Sequence, residues 1–549
     1  GEGCGGVMAF AGRLVCFPRA SSPAMSTDEL GAALRCFRGA HAGAGPPPVH
    51  VAVVGAGAAG LAAALALGRR GLAVTLLEAE PRLGGRIRTV QVAGGPYDLG
   101  ATWLHGRSVL QNPIWEFEAA AGEAMTSASR PCGRPARLPT RWALGETGEA
   151  ADGRVAQTSA RAYGAALEEC LRVADGLEVR GLPEGKEEVA DVGSAVELLL
   201  SATEGGSREE PAPELCAVAE NCAVDPELAR RGFHWRAQLE CSISGCEHVA
   251  ELSLPAWGEC KELPGALRAS GRWRGGYGAL LEGAAAALPA SVDVRLSRSV
   301  SSLAWNPCPG GGGVDAGVRL FHDGPEGNSQ VVEADHAVVT VSLGVLKEAV
   351  AGCGSLALVP ALPEAKASAV RRLGFGTVDK VLLRYDDPWW SGLWGRLNIL
   401  WGDGRPEPPE PAWLRGVYSL SPEPRGLGLE CWLSGEAARE MESALEEDVM
   451  QSLHHLVLRC AGHLARPPPM PTGLLRSTWA SQPRFRGSYS YVPTGASGAD
   501  IDELARPEGD QVQLLLAGEH AHRSYYSYAH GAWLSGLRAA DAILAYHHM

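Results

Sequence analysis

The sequence predicts an α/β fold of doubly wound type, and three observations between residues 50 and 78 predict it. The run "HVAVVG" (50–55) is short and rich in β-branched residues, as a buried parallel strand should be. Gly55, Gly57 and Gly60 then form G-x-G-x-x-G and open the Ala/Leu-rich helical stretch "LAAALALGRRG" (61–71). A second strand, "LAVTLLE" (72–78), ends in Glu78, 18 residues after Gly60. Strand, glycine triplet, helix, strand and terminal acid in that order make the βαβ unit that binds a dinucleotide.

Two rival readings of the same stretch are a membrane span and a signal peptide, because Val51 to Leu67 is apolar or glycine throughout. A spanning helix needs about 20 apolar residues, and the three glycines interrupt this shorter run. Each glycine has a task in the nucleotide reading. Gly55 permits the tight turn, Gly57 lets the backbone approach a pyrophosphate, and Gly60 allows close helix–strand packing. Ala59 is assigned to the same cofactor-facing turn. The helix N-terminus supplies free amides and positive dipole for phosphates. Glu78 would accept hydrogen bonds from the adenosine ribose.

With 549 residues the chain has room for roughly two to four domains. Hydrophobic residues at 46% and charged residues at 20% are the balance of a globular protein. A formal charge of −14 excludes the basic footprint of a general nucleic-acid binder and suits attraction of small cations. The 14 cysteines include no CxxC pair, which points to reduced thiols inside a cell. Cys216, Cys222, Cys241, Cys246 and Cys260, with His234 and His248, lack the paired spacing of a zinc site, so no metal is expected. Residues 1–49 read as a disordered or low-complexity extension, with a transit peptide as the alternative. The terminal "AYHHM" matches no peroxisomal address, so the expected compartment is the cytoplasm.

Further along, "SVDVRLSRSVSSLAW" (291–305) and "ADHAVVTV" (334–341) alternate like strands, with "NPCPGGGG" (306–313) as a flexible insert. The end of the chain repeats strand, Gly-Glu turn and helix in "VQLLLAGE" and "HGAWLSGLRAADAIL". After Glu78, "PRLGGRIRT" (81–89) brings Gly84, Gly85, Arg86 and Arg88, and arginine can grip an anion through two parallel bonds. Then follow "DLGATWLHG" (98–106), "RLGFGTVDKVLLRYDDPWW" (372–390), "RGSYSYVPTGASGADIDELARP" (486–507) and "LLAGEHAHRSYYSYAHGAWLSGLRAADAIL" (515–544). In content and order these motifs resemble the flavin-dependent polyamine oxidases (spermine oxidase-like and N1-acetylpolyamine oxidase-like members) of the flavin amine oxidase superfamily. The resemblance runs from about residue 50 to 545 and is thinnest within 120–235 and 395–470.

That resemblance implies FAD as cofactor and a Rossmann-like FAD-binding domain assembled from residues 50–115, 265–346 and 474–549. A mixed-sheet substrate-binding domain, residues 116–264 and 347–473, would be inserted between them. It also implies roles. Glu78 holds the adenosine ribose, while Gly85 and Arg86 lie near the pyrophosphate. Thr102, Trp103 and Trp479 line the cofactor, Val300 meets it through backbone groups, and Glu519 binds the ribityl or phosphate region from a second helix N-terminus. Lys380 holds a water against flavin N5; its apolar strand setting alone also allows an edge lysine facing solvent. His105 contacts substrate, with a satisfied core histidine as the alternative. Tyr489 and Tyr528 form an aromatic slot, or else pack ordinarily. The chain reads "YSYAHGA" where vertebrate relatives usually read "YSTTHGA", and Ser242 stands where spermine oxidases carry an acid.

The implied reaction takes hydride from the carbon beside a secondary amine of spermine, N1-acetylspermine or spermidine to flavin N5. Water then splits the imine into an aldehyde and a shorter amine, and oxygen becomes hydrogen peroxide. Only the deprotonated amine has the needed lone pair, so activity should rise into the alkaline range. Partners are a small polyamine and oxygen, with no nucleic acid or membrane, and the chain is expected to be a monomer. The alternatives are a lysine-specific histone demethylase-like flavin amine oxidase and a flavin-binding protein without catalysis. No cysteine follows Cys460, as covalent flavin in monoamine oxidases would need.

Overall fold

The structure is a computed structural model. It describes residues 49–106, 109, 112–117, 140–174, 190–202, 225–261, 271–305, 317–324, 327–402, 410–426, 428–461, 464 and 466–549. Residues 1–48 of the N-terminal extension, the 306–313 insert, Cys216 and Cys222 lie outside these, while Val49 packs against the parallel-sheet core.

The βαβ unit of the opening stretch forms the middle of a five-stranded sheet. Its order is Leu514–Leu516, His336–Val339, His50–Val54, Ala73–Leu77, Val292–Arg295, and every pairing is parallel. A parallel sheet needs cover on both faces. Val51 and Val53 face one apolar core with the helices Ala58–Arg69 and Ala529–Tyr546. Ala52 and Val54 face a second core with Leu343, Val370 and Ile501.

The helix that imitates a membrane segment is buried from Ala58 to Gly68. A helix apolar on all sides is a core helix as readily as a span, and this one has only 12 residues. Its partner is the C-terminal helix, which comes so close that a Cβ on Gly536 would lie 2.1 Å from the Ala59 carbonyl oxygen. No helix among the described residues is long and apolar enough to cross a membrane.

Above this layer stands a six-stranded sheet in the order Gly473–Arg476, Val378–Arg384, Gly428–Ser434, Ser419–Pro422, Arg396–Leu400, Thr140–Leu144. The strands pair antiparallel except for the last two, which run parallel. The helix Pro226–Ser244 leads from this half toward the site. Asp225 caps it by accepting from Leu228 N, Pro226 opens it, and Gly245 at φ +80° ends it.

The segment limits drawn from the sequence are displaced at three points. The limit at 115/116 cuts the 3-10 turn Pro113–Phe117, although Phe117 packs on Trp533 in the parallel-sheet layer. The limit at 346/347 falls inside the helix Leu343–Ala351, and the strand Ala357–Val359 pairs with Val300–Trp305. Ala367, Val370 and Leu373 pack with Val339 and Leu514, so the chain stays with the parallel-sheet layer to about residue 373. The limit at 473/474 cuts the strand Gly473–Arg476, which pairs with Val378–Arg384. Strand pairing decides these last two, and it is invisible in local composition.

Candidate active site

A cavity of about 340 Å³ runs between the two layers. Its lining includes the glycine turn, Lys380, Tyr489 and Tyr528. Of the residues given catalytic or cofactor-binding roles from the sequence, all but Gly60 line it.

The three glycines divide their work. Gly55 sits at φ +100°, where a Cβ would meet the Thr340 hydroxyl at 2.6 Å. A Cβ on Gly60 would lie 1.8 Å from the Gly55 carbonyl oxygen, so this glycine seats the helix on the turn. A Cβ on Gly57 would have nothing nearer than Gly84 O at 3.9 Å and would point into the open cradle. No acidic side chain lies in the helix's first turn and none caps it, leaving its first amides to an anion. Ala59, in the first turn of the helix, and Val300 also line the cavity.

Glu78 ends the second strand and accepts from Ala56 N at 2.7 Å and Glu80 N at 2.7 Å, one through each oxygen. Burial pushes its pKa up, against these two bonds. Each oxygen keeps a lone pair for another donor. Gly84 and Gly85, both at positive φ, carry the chain past the turn to Arg86.

Arg86 and Glu519 meet each other. Arg86 Nη1 donates to Glu519 Oε1 at 2.8 Å and to Ser488 O at 2.8 Å. The other oxygen of Glu519 accepts from Ser490 Oγ at 2.5 Å, Ser490 N at 3.3 Å and Ser527 N at 2.9 Å. Burial raises the Glu519 pKa, but Arg86 and Ser490 outweigh it and hold the carboxylate low. Glu519 opens a 3-10 turn, Glu519–Ala521, and the long helix begins only at Ala529, which corrects the helix-N-terminus placement.

Lys380 lies in the inner strand Val378–Arg384, flanked on both sides, and is 4% exposed. The solvent-facing edge lysine is thereby ruled out. Its Nζ donates to Asp98 O at 3.0 Å, Gly100 O at 2.5 Å and Thr102 Oγ1, so all three ammonium hydrogens hold the 98–102 loop. Burial lowers its pKa to about 8, with Glu430 opposing. A water contact would therefore need an exchange of one of these bonds, or the neutral amine.

Sequence reading missed the groups behind Lys380. Trp432 stands opposite it in register, with Nζ 4.7 Å from the ring centroid. Glu430 accepts from Arg272 Nη2 at 2.5 Å, Tyr97 OH at 2.8 Å and Trp432 Nε1 at 3.0 Å. Burial raises the Glu430 pKa, but Arg272 and Lys380 overcome it and hold the value at about 2. The available signal was an acid inside the apolar strand "LECWLS", the same pattern that marked Lys380.

His105 packs edge-on against Tyr528, with centroids 4.8 Å apart, and Tyr528 stacks on His530 at 5.0 Å. Burial lowers the His105 pKa to about 4, so the ring is neutral. Tyr489 also lines the cavity and donates to Ser242 O at the end of the helix Pro226–Ser244. Trp479 packs edge-on against Phe485 at 5.3 Å, and its backbone N–H is held by Asp379. Among the described residues, Trp103 Nε1 is buried without a hydrogen-bond partner while its residue lines the cavity. Together with the Gly57 cradle, this orphan donor suits a dinucleotide carrying a polar aromatic ring. No group of three His, Cys, Asp or Glu that could hold a metal occurs among the described residues.

The family described as flavin containing amine oxidoreductase matches residues 58–544. Peroxisomal N(1)-acetyl-spermine/spermidine oxidase of Bos taurus is 31% identical over 536 residues, covering 91% of this chain and 95% of that protein. Polyamine oxidase 1 of Oryza sativa subsp. japonica is 32% identical over 549 residues, covering 91% and 97%. The solved structure of putrescine oxidase bound to putrescine superposes with a TM-score of 0.61 at 19% identity, covering 91% and 99%, a likeness of fold alone. The chain belongs to the flavin-containing amine oxidoreductase family, with FAD as its cofactor.

Proposed function

We propose that this chain oxidises polyamines at a carbon beside a secondary nitrogen and that it prefers an N-acylated polyamine. One observation carries the reading. Beside His105, Ser242, Trp432, Tyr489 and Tyr528, the cavity presents no carboxylate among the described lining residues other than Glu78 and Glu519. The two lining acids, Glu78 and Glu519, are bonded to backbone amides, serines and Arg86. A terminal ammonium would have no counter-charge there, whereas a capped, neutral end loses nothing by desolvation. The name of the Bos taurus relative prints a substrate of this class.

In this reading the parallel-sheet layer holds FAD and the six-stranded layer shapes the substrate end. Gly57 and the first amides of the helix Ala58–Arg69 would take the pyrophosphate, and Glu78 the ribose. When bound, FAD supplies hydride acceptance and passes the electrons to oxygen, giving hydrogen peroxide. The chain supplies orientation. Tyr489 and Tyr528 flank the methylene chain, and neutral His105 can hydrogen-bond the amine or the capping amide. Lys380, kept cationic at neutral pH by a pKa of about 8, disfavours a second positive charge nearby and so favours the deprotonated reacting nitrogen. The partners in this reading are a small amine and oxygen.

The test is anaerobic bleaching of the FAD-loaded protein by N1-acetylspermine, spermine and spermidine. The expected order places N1-acetylspermine at least about tenfold above spermine in kcat/KM, the worth of one unpaired charge contact. Lasting yellow colour with every polyamine would leave a flavin-binding protein without catalysis.

A further inference from the structure

The two slot tyrosines are joined behind the slot by a device that no motif announces. Tyr489 begins the strand Tyr489–Tyr491, and alternation turns its neighbour Ser490 to the opposite face. There Ser490 donates to Glu519 Oε2 through both Oγ, at 2.5 Å, and N, at 3.3 Å. Tyr528 is preceded by Ser527, whose N–H donates to the same oxygen at 2.9 Å. Ser527 Oγ closes the ring by donating to Ser490 O. Ser527 also sits at φ +68°, a left-handed conformation that costs a non-glycine residue on the order of 1 kcal/mol or more. Glycine would adopt it freely, yet would lose the bond to Ser490. The residue present accepts strain and keeps the crossbar.

We propose that Ser490 and Ser527, yoked by one oxygen of Glu519, are positioning residues that set the separation of the Tyr489 and Tyr528 walls and so select which amine chains fit between them. The proposal rests on the amine oxidase reading above for its substrate, but the spacing itself is a property of the apo fold. Arg86 on the other carboxylate oxygen fixes the yoke to the turn that follows the cofactor cradle. A carboxylate bonded on both oxygens has little freedom, so displacement at either serine passes to the adjoining tyrosine. Groups joined through one oxygen act as a unit, and their substitutions should be non-additive.

The experiment uses the full chain loaded with FAD, as wild type, S490A, S490T, S527G and S490A/S527G. KM for N1-acetylspermine should rise about tenfold in the double variant, with kcat within about threefold and FAD content unchanged. Each single removal should show most of that rise, and S490T, which keeps the hydroxyl, should restore the wild-type KM. Crystal structures of wild type and double variant should show the Tyr528 ring displaced relative to Tyr489 by about 1 Å, enough to matter at a reacting centre. KM within twofold of wild type, or loss of FAD in step with activity, overturns the proposal. A wild type that no amine bleaches would fail the oxidase reading alone; the crystal comparison would still decide the yoke, and superimposable rings would overturn it.

Discussion

Arg86 and Glu519, 433 residues apart in the chain, form a pair with Nη1 and Oε1 at 2.8 Å in the floor of the cavity. This contact ties the turn after the nucleotide-binding unit to the segment that carries the slot. Removing Arg86 strands the buried Glu519 carboxylate, and with Arg86 itself part-exposed the cost should be about 1–3 kcal/mol. R86M should therefore lower the Tm of the apoprotein by several degrees. R86M/E519Q should recover part of the loss, because the remaining amide is neutral and still meets Ser490 and Ser527. Equal Tm for R86M and wild type would show that the pair carries no structural load.

Gly57 and Gly60 look alike in the motif but should fail differently. G60A forces a Cβ to within 1.8 Å of a backbone oxygen, so the helix must lift and stability should drop by about 1–3 kcal/mol. G57A meets no protein atom nearer than 3.9 Å, so apoprotein stability should stay within about 0.5 kcal/mol while FAD retention falls sharply. Thermal melts and flavin absorbance of the two variants separate these outcomes. Equal loss of stability in both would refute the division of labour.

Lys380 has a dual prediction. Its ammonium holds Asp98 O, Gly100 O and Thr102, so K380M should loosen the loop and slow flavin reduction by about 10–100-fold. Its pKa is lowered from 10.5 to about 8, so between those pH values the unfolded chain binds more protons than the folded one. Stability from this group therefore rises with pH across that window and is lowest below about pH 8. In urea melts, wild type should gain on K380M between pH 7.5 and 9.5. A constant difference between the two would mean that the amine titrates normally.

Histidines make the opposite limb. Burial holds His105, His520 and His522 at about 4, below the ordinary 6.5. From pH 6.5 down to 4 the unfolded chain takes up protons that these folded rings refuse, so stability is lost as pH falls through that range. The Tm should fall steadily from pH 6.5 to 5, and H105Q should blunt the slope. Because His105 stays neutral throughout the assay range, H105Q should raise KM by about 3–10-fold without moving either limb of the activity profile. A shifted limb would assign His105 a titrating role.

What the sequence by itself determined is the nucleotide half. The cues from His50 to Glu78 are local: strand, turn, helix and acid are read within 29 consecutive residues, and their chemistry follows from spacing. An odd charge in an apolar strand was likewise enough to single out Lys380. The tertiary structure decided where those groups point. Glu519 faces Arg86 and two serines, Lys380 clamps the 98–102 loop, and Glu430 with Arg272 and Tyr97 lies behind it. It also placed the 357–359 strand with the parallel-sheet layer and joined the segments that carry Tyr489 and Tyr528 through Ser490 and Ser527. These contacts span tens to hundreds of residues, and those made from strands, such as Lys380, Glu430 and Ser490, depend on register, which shifts a side chain to the opposite face with a one-residue slip. Local pattern carries no record of that register; packing alone selects it.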